Sequence, residues 1–222
     1  MQGNSRRVES QQPGVHEKLD AIVAKYQQTE NRRPVHKHTR DAFDETMAWL
    51  GDWQGDIILD SCCGVGQSTA GLAEQFSDAR VIGLDKSDLR VAKHSHYQSA
   101  ATNYRVVRAD VIDFWRLLRG AADSSAWQLK AHYLCYPNPY PKPSQVQKRW
   151  HASPAMPDLM ALAPQLEVRS NWLIYLQEFA QAAAAYGVQC EITEVPKHSR
   201  AITPFELKYR NSGQVCWRLR RV

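Results

Sequence analysis

Residues 56–76 read DIILDSCCGVGQSTAGLAEQF, and this stretch decides the fold. Asp56 to Asp60 is a short apolar run that ends in a carboxylate. A glycine-containing loop, Ser61 to Gly66, leads into a helical stretch from Gln67 to Phe76. The order is strand, loop, helix. Outward from it the unit recurs: RVIGLD (80–85) precedes a helix predicted through about Ala100, and YRVVRAD (104–110) precedes a helix around Phe114 to Leu118. A fourth strand, KAHYLCY (130–136), runs into a proline-rich loop. A fifth, LEVRS (166–170), precedes a helix from about Asn171 to Tyr186. Such alternation predicts a mostly parallel sheet covered on both faces. The tail departs from the rhythm: Val188 to Val195 and Gly213 to Leu219 read as two strands with no helix between them. The predicted α/β sheet therefore has seven strands and finishes with an antiparallel pair.

Upstream, Val15, Leu19, Ile22, Val23 and Tyr26 share one face of an amphipathic helix, and Phe43, Met47 and Leu50 mark a second. The basic link NRRPVHKHTR (31–40) separates them, with Pro34 interrupting any helix. Residues 1–50 thus read as an arm and helical extension, not a separate domain, appended to a domain over 51–222.

The 222 residues suit one full-sized domain, and 43% hydrophobic with 23% charged residues excludes wholesale disorder and collagen-like classes. No apolar run approaches the roughly 18 residues that span a bilayer, and the N-terminus lacks the apolar stretch of a signal peptide. Five cysteines without a C-x-x-C pair argue against a disulfide framework or a zinc ribbon; no metal site is expected. A cytoplasmic location follows. The net charge of +5 conceals an asymmetry. Residues 1–40 hold eight Lys or Arg against four acids, and residues 197–222 hold seven against Glu206 alone, around an acidic middle. Basic ends of this kind suit a polyanion, or are simply solvated tails.

In a doubly wound sheet, ligands bind beyond the carboxyl ends of the strands, and the first three strands here end in Asp60, Asp85 and Asp110. Asp85 lies 19 residues after Gly66, where a carboxylate can accept from both ribose hydroxyls. The loop with Gly64 and Gly66 lacks the third glycine of G-x-G-x-x-G, and Asp60 at its start would repel a pyrophosphate. A cationic, phosphate-free ligand fits better, which favours S-adenosylmethionine over NAD. Asp110 can accept from the adenine amino group. Cys62 and Cys63 read as structural thiols.

The string YPNPYPKPS (136–144) alternates Pro137, Pro139, Pro141 and Pro143, a stiff backbone that presents Asn138, Tyr140 and Lys142 in a fixed array. It resembles the PDPW-x-K signature of bacterial tRNA (guanine-N7)-methyltransferases. The match runs in register over roughly residues 36–222, through GVG after Asp60, GLD at Asp85, AD at Asp110, SNW at 170–172 and TPFE at 203–206. The resemblance implies a Rossmann-like class I methyltransferase fold, S-adenosylmethionine as cofactor, and tRNA modification as the activity. It implies that Asp60, Gly64, Gly66, Asp85, Asp110 and Asn138 bind the cofactor. Asn138 and Lys142 become the catalytic candidates, and Lys142, Asn171, Thr203, Phe205 and Glu206 the substrate contacts. The chain departs from the family: Asn138 and Asn171 stand where the family usually has Asp, Cys62 where it has an extra glycine and Tyr140 where it has Trp, and the basic run after the lysine is thinned to Lys148 and Arg149.

Guanine N7 has an in-plane lone pair and no proton, so attack on the sulfonium methyl needs alignment rather than a general base. The ring becomes cationic as the methyl arrives, and Asn138 offers it a carbonyl dipole in place of a carboxylate. Glu206 can accept from guanine's Watson–Crick edge, or else forms a surface ion pair with Lys208 or Arg210. Arg32, Arg33, Lys37, Arg40, Lys148, Arg149, Lys197 and Arg200 are candidates for RNA phosphate contacts. The partner expected is tRNA or another RNA, bound by a monomer or homodimer and with no membrane involved. Alternatives are methylation of another base or an amide, suggested by likeness to an N-P-P-Y loop, and a catalytically weakened RNA-binding paralogue.

Overall fold

Ile57, Ile58 and Leu59 have no exposed surface, so the apolar run of 56–60 is continuous because its strand is covered on both faces. The computed structural model describes residues 3–162 and 164–222. In chain order its elements are α1 (Leu19–Gln27), α2 (Lys37–Leu50), β1 (Asp56–Ser61), α3 (Gln67–Gln75), β2 (Arg80–Asp85) and α4 (Asp88–Val91). Then come β3 (Tyr104–Arg108), α5 (Val111–Ala122), β4 (Gln128–Cys135), α6 (Met156–Leu162) and β5 (Gln165–Ser170). The chain closes with α7 (Leu173–Ala184), β6 (Cys190–Glu194), α8 (Pro204–Asn211) and β7 (Trp217–Arg221). The strand order is β3-β2-β1-β4-β5-β7-β6 in a seven-stranded sheet. This is the α/β architecture expected from the sequence.

The chain divides into two compact units. One comprises residues 33–135 and 161–165, the other residues 1–32, 136–160 and 166–222. In the first, β1 pairs in parallel with β2 and with β4, and β2 with β3. Ile58, Leu72, Ala73, Ala79, Val81 and Ala131 form a core cluster, with Phe76, Tyr104 and Tyr133 packed against it. Phe114, Trp115 and Leu118 of α5 are fully buried, and Phe43 of α2 meets Phe114 edge-on at 5.3 Å.

In the second unit β7 is antiparallel to both β5 and β6, with Val168 opposite Leu219 and Ile192 opposite the same Leu219. Leu19 of α1 and Tyr175, Leu176 and Phe179 of α7 are fully buried. Among the described residues no helix is long and apolar enough to cross a membrane.

Three elements differ from expectation. The helix after β2 stops at Val91 and continues only as a 3-10 turn, Ala92–His96. That segment offers no apolar stripe to bury, since Leu89 is 79% exposed; it is anchored instead by His94, whose ring meets the Val65 carbonyl and the Tyr104 hydroxyl. Helix α6 lies in a segment for which no helix was expected. Helix α8 stands between the two closing strands, where none was expected. Its start signal is local: the Thr203 hydroxyl accepts from the Glu206 N–H at 3.0 Å, and Pro204 occupies the first turn.

Candidate functional site

Within the unit of residues 33–135, the expected nucleotide end is built from the turn after β1. Gly64 and Gly66 both have positive φ, +63° and +75°. A Cβ on Gly66 would come within 2.5 Å of Nδ1 of His94, whereas one on Gly64 would meet nothing within 4 Å. Cys62 also has a left-handed φ, +61°, at the place where the resembled family has glycine.

Asp60 has no exposed surface, so it underlies the turn and does not reach a ligand directly. Its Oδ2 accepts from the hydroxyls of Ser68 at 2.6 Å and Thr69 at 2.7 Å. Its Oδ1 is buried with no hydrogen-bond partner among the described residues. Burial pushes this carboxyl up to about 6, against the opposing pull of the two hydroxyls. Asp85 also sits inward. Its Oδ2 accepts from the Gly64 N–H at 3.0 Å and its Oδ1 from the Ser87 N–H at 2.8 Å, with Arg90 3.2 Å from Oδ1. Thus the carboxylate expected to read a ribose also ties the glycine turn to the end of β2. Arg90 was not anticipated, although its place five residues after Asp85 was the available signal.

Asp110 caps α5, accepting from the Ile112 and Asp113 N–H groups, and pairs with Arg33 at 3.1 Å. Arg33 also bridges to Asp113 at 2.9 Å, and Lys37 pairs with Asp41 while Arg40 is exposed. Arg33, expected at a phosphate, is thus committed to two carboxylates. Burial pushes the Cys62 thiol up to about 12, helped by Asp85 and Asp60, and drives Cys63 up as well. Neither is a thiolate nucleophile.

In the other unit, Asn138 is exposed and its Oδ1 accepts from the Tyr140 N–H at 3.3 Å. The carbonyl expected to face the substrate is therefore engaged by the loop. Lys142 is exposed, and the Lys148 ammonium lies 5.8 Å from the centre of the Tyr140 ring. Asn171 donates to Oε1 of Gln214 at 2.9 Å. Thr203 caps α8. Phe205 is 47% exposed and stacks on Tyr209 at 6.3 Å, and Tyr209 contacts Tyr136 at 5.5 Å. Arg32 pairs with Glu30 at the surface, and Lys197 and Arg200 are exposed.

Two expected contacts are corrected by burial. Glu206 has no exposed surface: Oε2 pairs with Arg169 at 2.9 Å and Oε1 with Arg210. It extends a chain of alternating charge in which Arg169 and Arg220 also flank Glu167, at 2.6 and 2.7 Å. Both of its oxygens are spent on arginines, so no guanine edge is read by Glu206 in this arrangement. Arg149 is likewise fully buried, on Glu178, and offers no surface to a phosphate.

The residues present suit a cationic adenosyl compound. The buried Asp60 keeps an unpartnered oxygen beneath the turn, and residues 61–67 contain no Lys or Arg to meet a pyrophosphate. Parallel strands ending in carboxylates, a glycine turn after β1 and an antiparallel β7 between β5 and β6 define a Rossmann-like class I methyltransferase that uses S-adenosylmethionine. The chain belongs to the Methyltransf_4 family, described as "Putative methyltransferase", whose model matches residues 54–219.

Solved structures agree on the fold. An antibiotic-related methyltransferase is 14% identical with a TM-score of 0.56, over 85% of this chain and 100% of that one. The 16S rRNA methyltransferase KamB is 15% identical with a TM-score of 0.54, over 87% and 98%. A mutant 16S rRNA (adenine(1408)-N(1))-methyltransferase from Catenulisporales acidiphilia, with cosubstrate SAM, is 17% identical with a TM-score of 0.53, over 82% and 90%. Among curated proteins, none matches the chain by sequence.

Proposed function

We propose that this methyltransferase acts on RNA, and that it transfers the methyl group of S-adenosylmethionine to N7 of guanine in tRNA. The observation that carries the reading is the state of Asn138. With Oδ1 engaged by the Tyr140 N–H, the exposed amide keeps its Nδ2 donors for a ligand. Guanine carries the O6 acceptor beside N7, so a donor at this position holds the ring edge next to the reacting atom. An exocyclic amine would need an acceptor there, which disfavours methylation of an adenine or cytosine amino group. N7 itself requires no general base, consistent with a loop that contains no carboxylate.

In this reading Asp60, Gly64, Gly66, Asp85 and Asp110 hold the cofactor: Asp60 through its field beneath the turn, Asp85 at the ribose and Asp110 at the adenine. S-adenosylmethionine supplies the electrophilic methyl. Asn138 and Lys142 orient the base, Phe205 stacks on it, and Asn171 and Thr203 support α8 and its surroundings. The exposed Arg32, Lys37, Arg40, Lys148, Lys197 and Arg200 meet phosphates. RNA substrates named for the KamB and adenine(1408) relatives, and the basic ends of the chain, support the choice of RNA. The five cysteines, read as reduced thiols, suit the reducing cytoplasm.

One observation favours a second reading, a weakened RNA-binding relative: Glu206 is tied to arginines and Asn171 to Gln214, so two expected substrate contacts are already engaged. Incubation with labelled S-adenosylmethionine and undermodified tRNA, followed by nucleoside digestion, separates the two. The proposal expects 7-methylguanosine, and a rate lowered by Asn138→Asp, which has no Nδ2 donor for the guanine O6. Absence of label with cofactor binding intact would overturn it.

A further inference from the structure

The segment 137–142 has little to hold it from within. Its prolines have no N–H, Tyr136 and Tyr140 have positive φ values of +54° and +44°, and the Tyr140 N–H goes to the side chain of Asn138. The prolines restrict their own φ, but the left-handed conformations of the two tyrosines need support from outside the loop, and hydrogen bonds to its carbonyls supply it. Arg149 makes them from beneath. Its Nη2 donates to the Tyr140 carbonyl at 3.0 Å and the Lys142 carbonyl at 3.4 Å, and its Nε donates to Tyr140 at 3.2 Å.

The guanidinium is fully buried, so its charge must be met locally. Glu178 on α7 meets it through Oε2 at 2.5 Å. Glu178 in turn has His151 at 2.9 Å on the same oxygen, and on Oε1 accepts from Gln12 at 2.6 Å and from the His16 N–H at 3.0 Å. Gln12 closes the circuit by accepting from Nη2 of Arg149 at 3.1 Å, and Ser10 donates to the Pro141 carbonyl at 2.6 Å. The Trp172 ring lies 4.9 Å from the guanidinium carbon. Apart from His151 Nδ1, which is buried without a hydrogen-bond partner among the described residues, the polar groups of this circuit are engaged, and four of the bonds end on carbonyls of the loop that carries Asn138 and Lys142.

We propose that Arg149 is a positioning residue that fixes the 137–142 loop for methyl transfer, with Glu178 and the arm residue Gln12 as its supports. The catalytic part of this inference rests on the function proposed above. A lysine would not serve, because one ammonium cannot reproduce the planar fork that reaches both carbonyls and the carboxylate.

The test uses the full chain, and separates the grip on the loop from the stability of a buried ion pair. Arg149→Met leaves Glu178 uncompensated and is expected to lower the melting temperature. Arg149→Met with Glu178→Gln removes both charges and is expected to regain most of that loss. Amide exchange at Tyr136, Asn138, Tyr140 and Lys142 should nevertheless remain at least about tenfold faster than in the wild type. The double variant should also show kcat lowered by about 10- to 100-fold, with KM for S-adenosylmethionine unchanged. Arg149→Lys should show the same fast loop exchange. If the double variant recovers loop protection and kcat together with the melting temperature, Arg149 serves only the ion pair and the proposal falls. Should the wild type form no 7-methylguanosine, the functional reading fails, while the exchange measurement still decides whether Arg149 holds the loop.

Discussion

Asp60 is ionised at neutral pH at the expense of folding stability. Its carboxyl is raised from the ordinary 3.8 to about 6 because burial outweighs the Ser68 and Thr69 hydrogen bonds. The folded state then holds the proton more tightly than the unfolded chain does. The associated stability is fully present below about pH 3.8 and is lost as pH rises to about 6. At about 1.36 kcal/mol per pH unit, the whole interval corresponds to about 3 kcal/mol, of which about 2 kcal/mol falls between pH 4.5 and 7.5. Asp60→Asn provides the reference. It keeps an acceptor for both hydroxyls and puts an amide where Oδ1 has no partner, at a pH-independent cost of about 1–3 kcal/mol. Glu178, which His151 and Arg149 hold down at about 2 against burial, and His151, lowered by burial, contribute oppositely on acidification. Those contributions are common to both proteins and cancel in the difference. Urea unfolding at pH 4.5, 5.5, 6.5 and 7.5 should show the variant gaining about 2 kcal/mol on the wild type across the series. A difference that stays flat with pH would refute the reasoning.

Cys62→Gly should stabilise the protein. It relieves a left-handed backbone cost of about 1–2 kcal/mol against an entropic loss of about 0.5–1 kcal/mol, and a raised melting temperature checks it. Glu206→Gln removes the buried charge between Arg169 and Arg210, leaving Arg169 its pair with Glu167, and should destabilise by about 3 kcal/mol in urea titration. If it instead leaves stability intact and weakens only RNA binding, the corrected role of Glu206 is wrong. Phe205→Ala should change stability by no more than about 0.5 kcal/mol, yet weaken RNA binding in filter assays by about 1–3 kcal/mol. Unaltered binding would remove Phe205 from the stacking role.

The sequence by itself determined the strands and the carboxylates at their ends. A buried parallel strand must be an apolar run of a few residues, and a carboxylate after it is visible without knowing any neighbour. The glycine turn and the proline alternation of 137–143 were legible for the same reason, since each restricts its own backbone. Helix α8 was legible in principle, because Thr203, Pro204 and Glu206 form a local start signal, but its eight residues carry no long apolar stripe to set it apart from a loop between two strands. What only the tertiary structure decided is which charged groups face water. Arg149 and Glu178 are 29 residues apart, Arg169 and Glu206 37, and Gln12 lies 166 residues from Glu178. No local pattern pairs residues so distant. A guanidinium contacts phosphate when it is solvated and anchors a loop when it is buried against a carboxylate, and burial is a property of the packed chain, not of the residue.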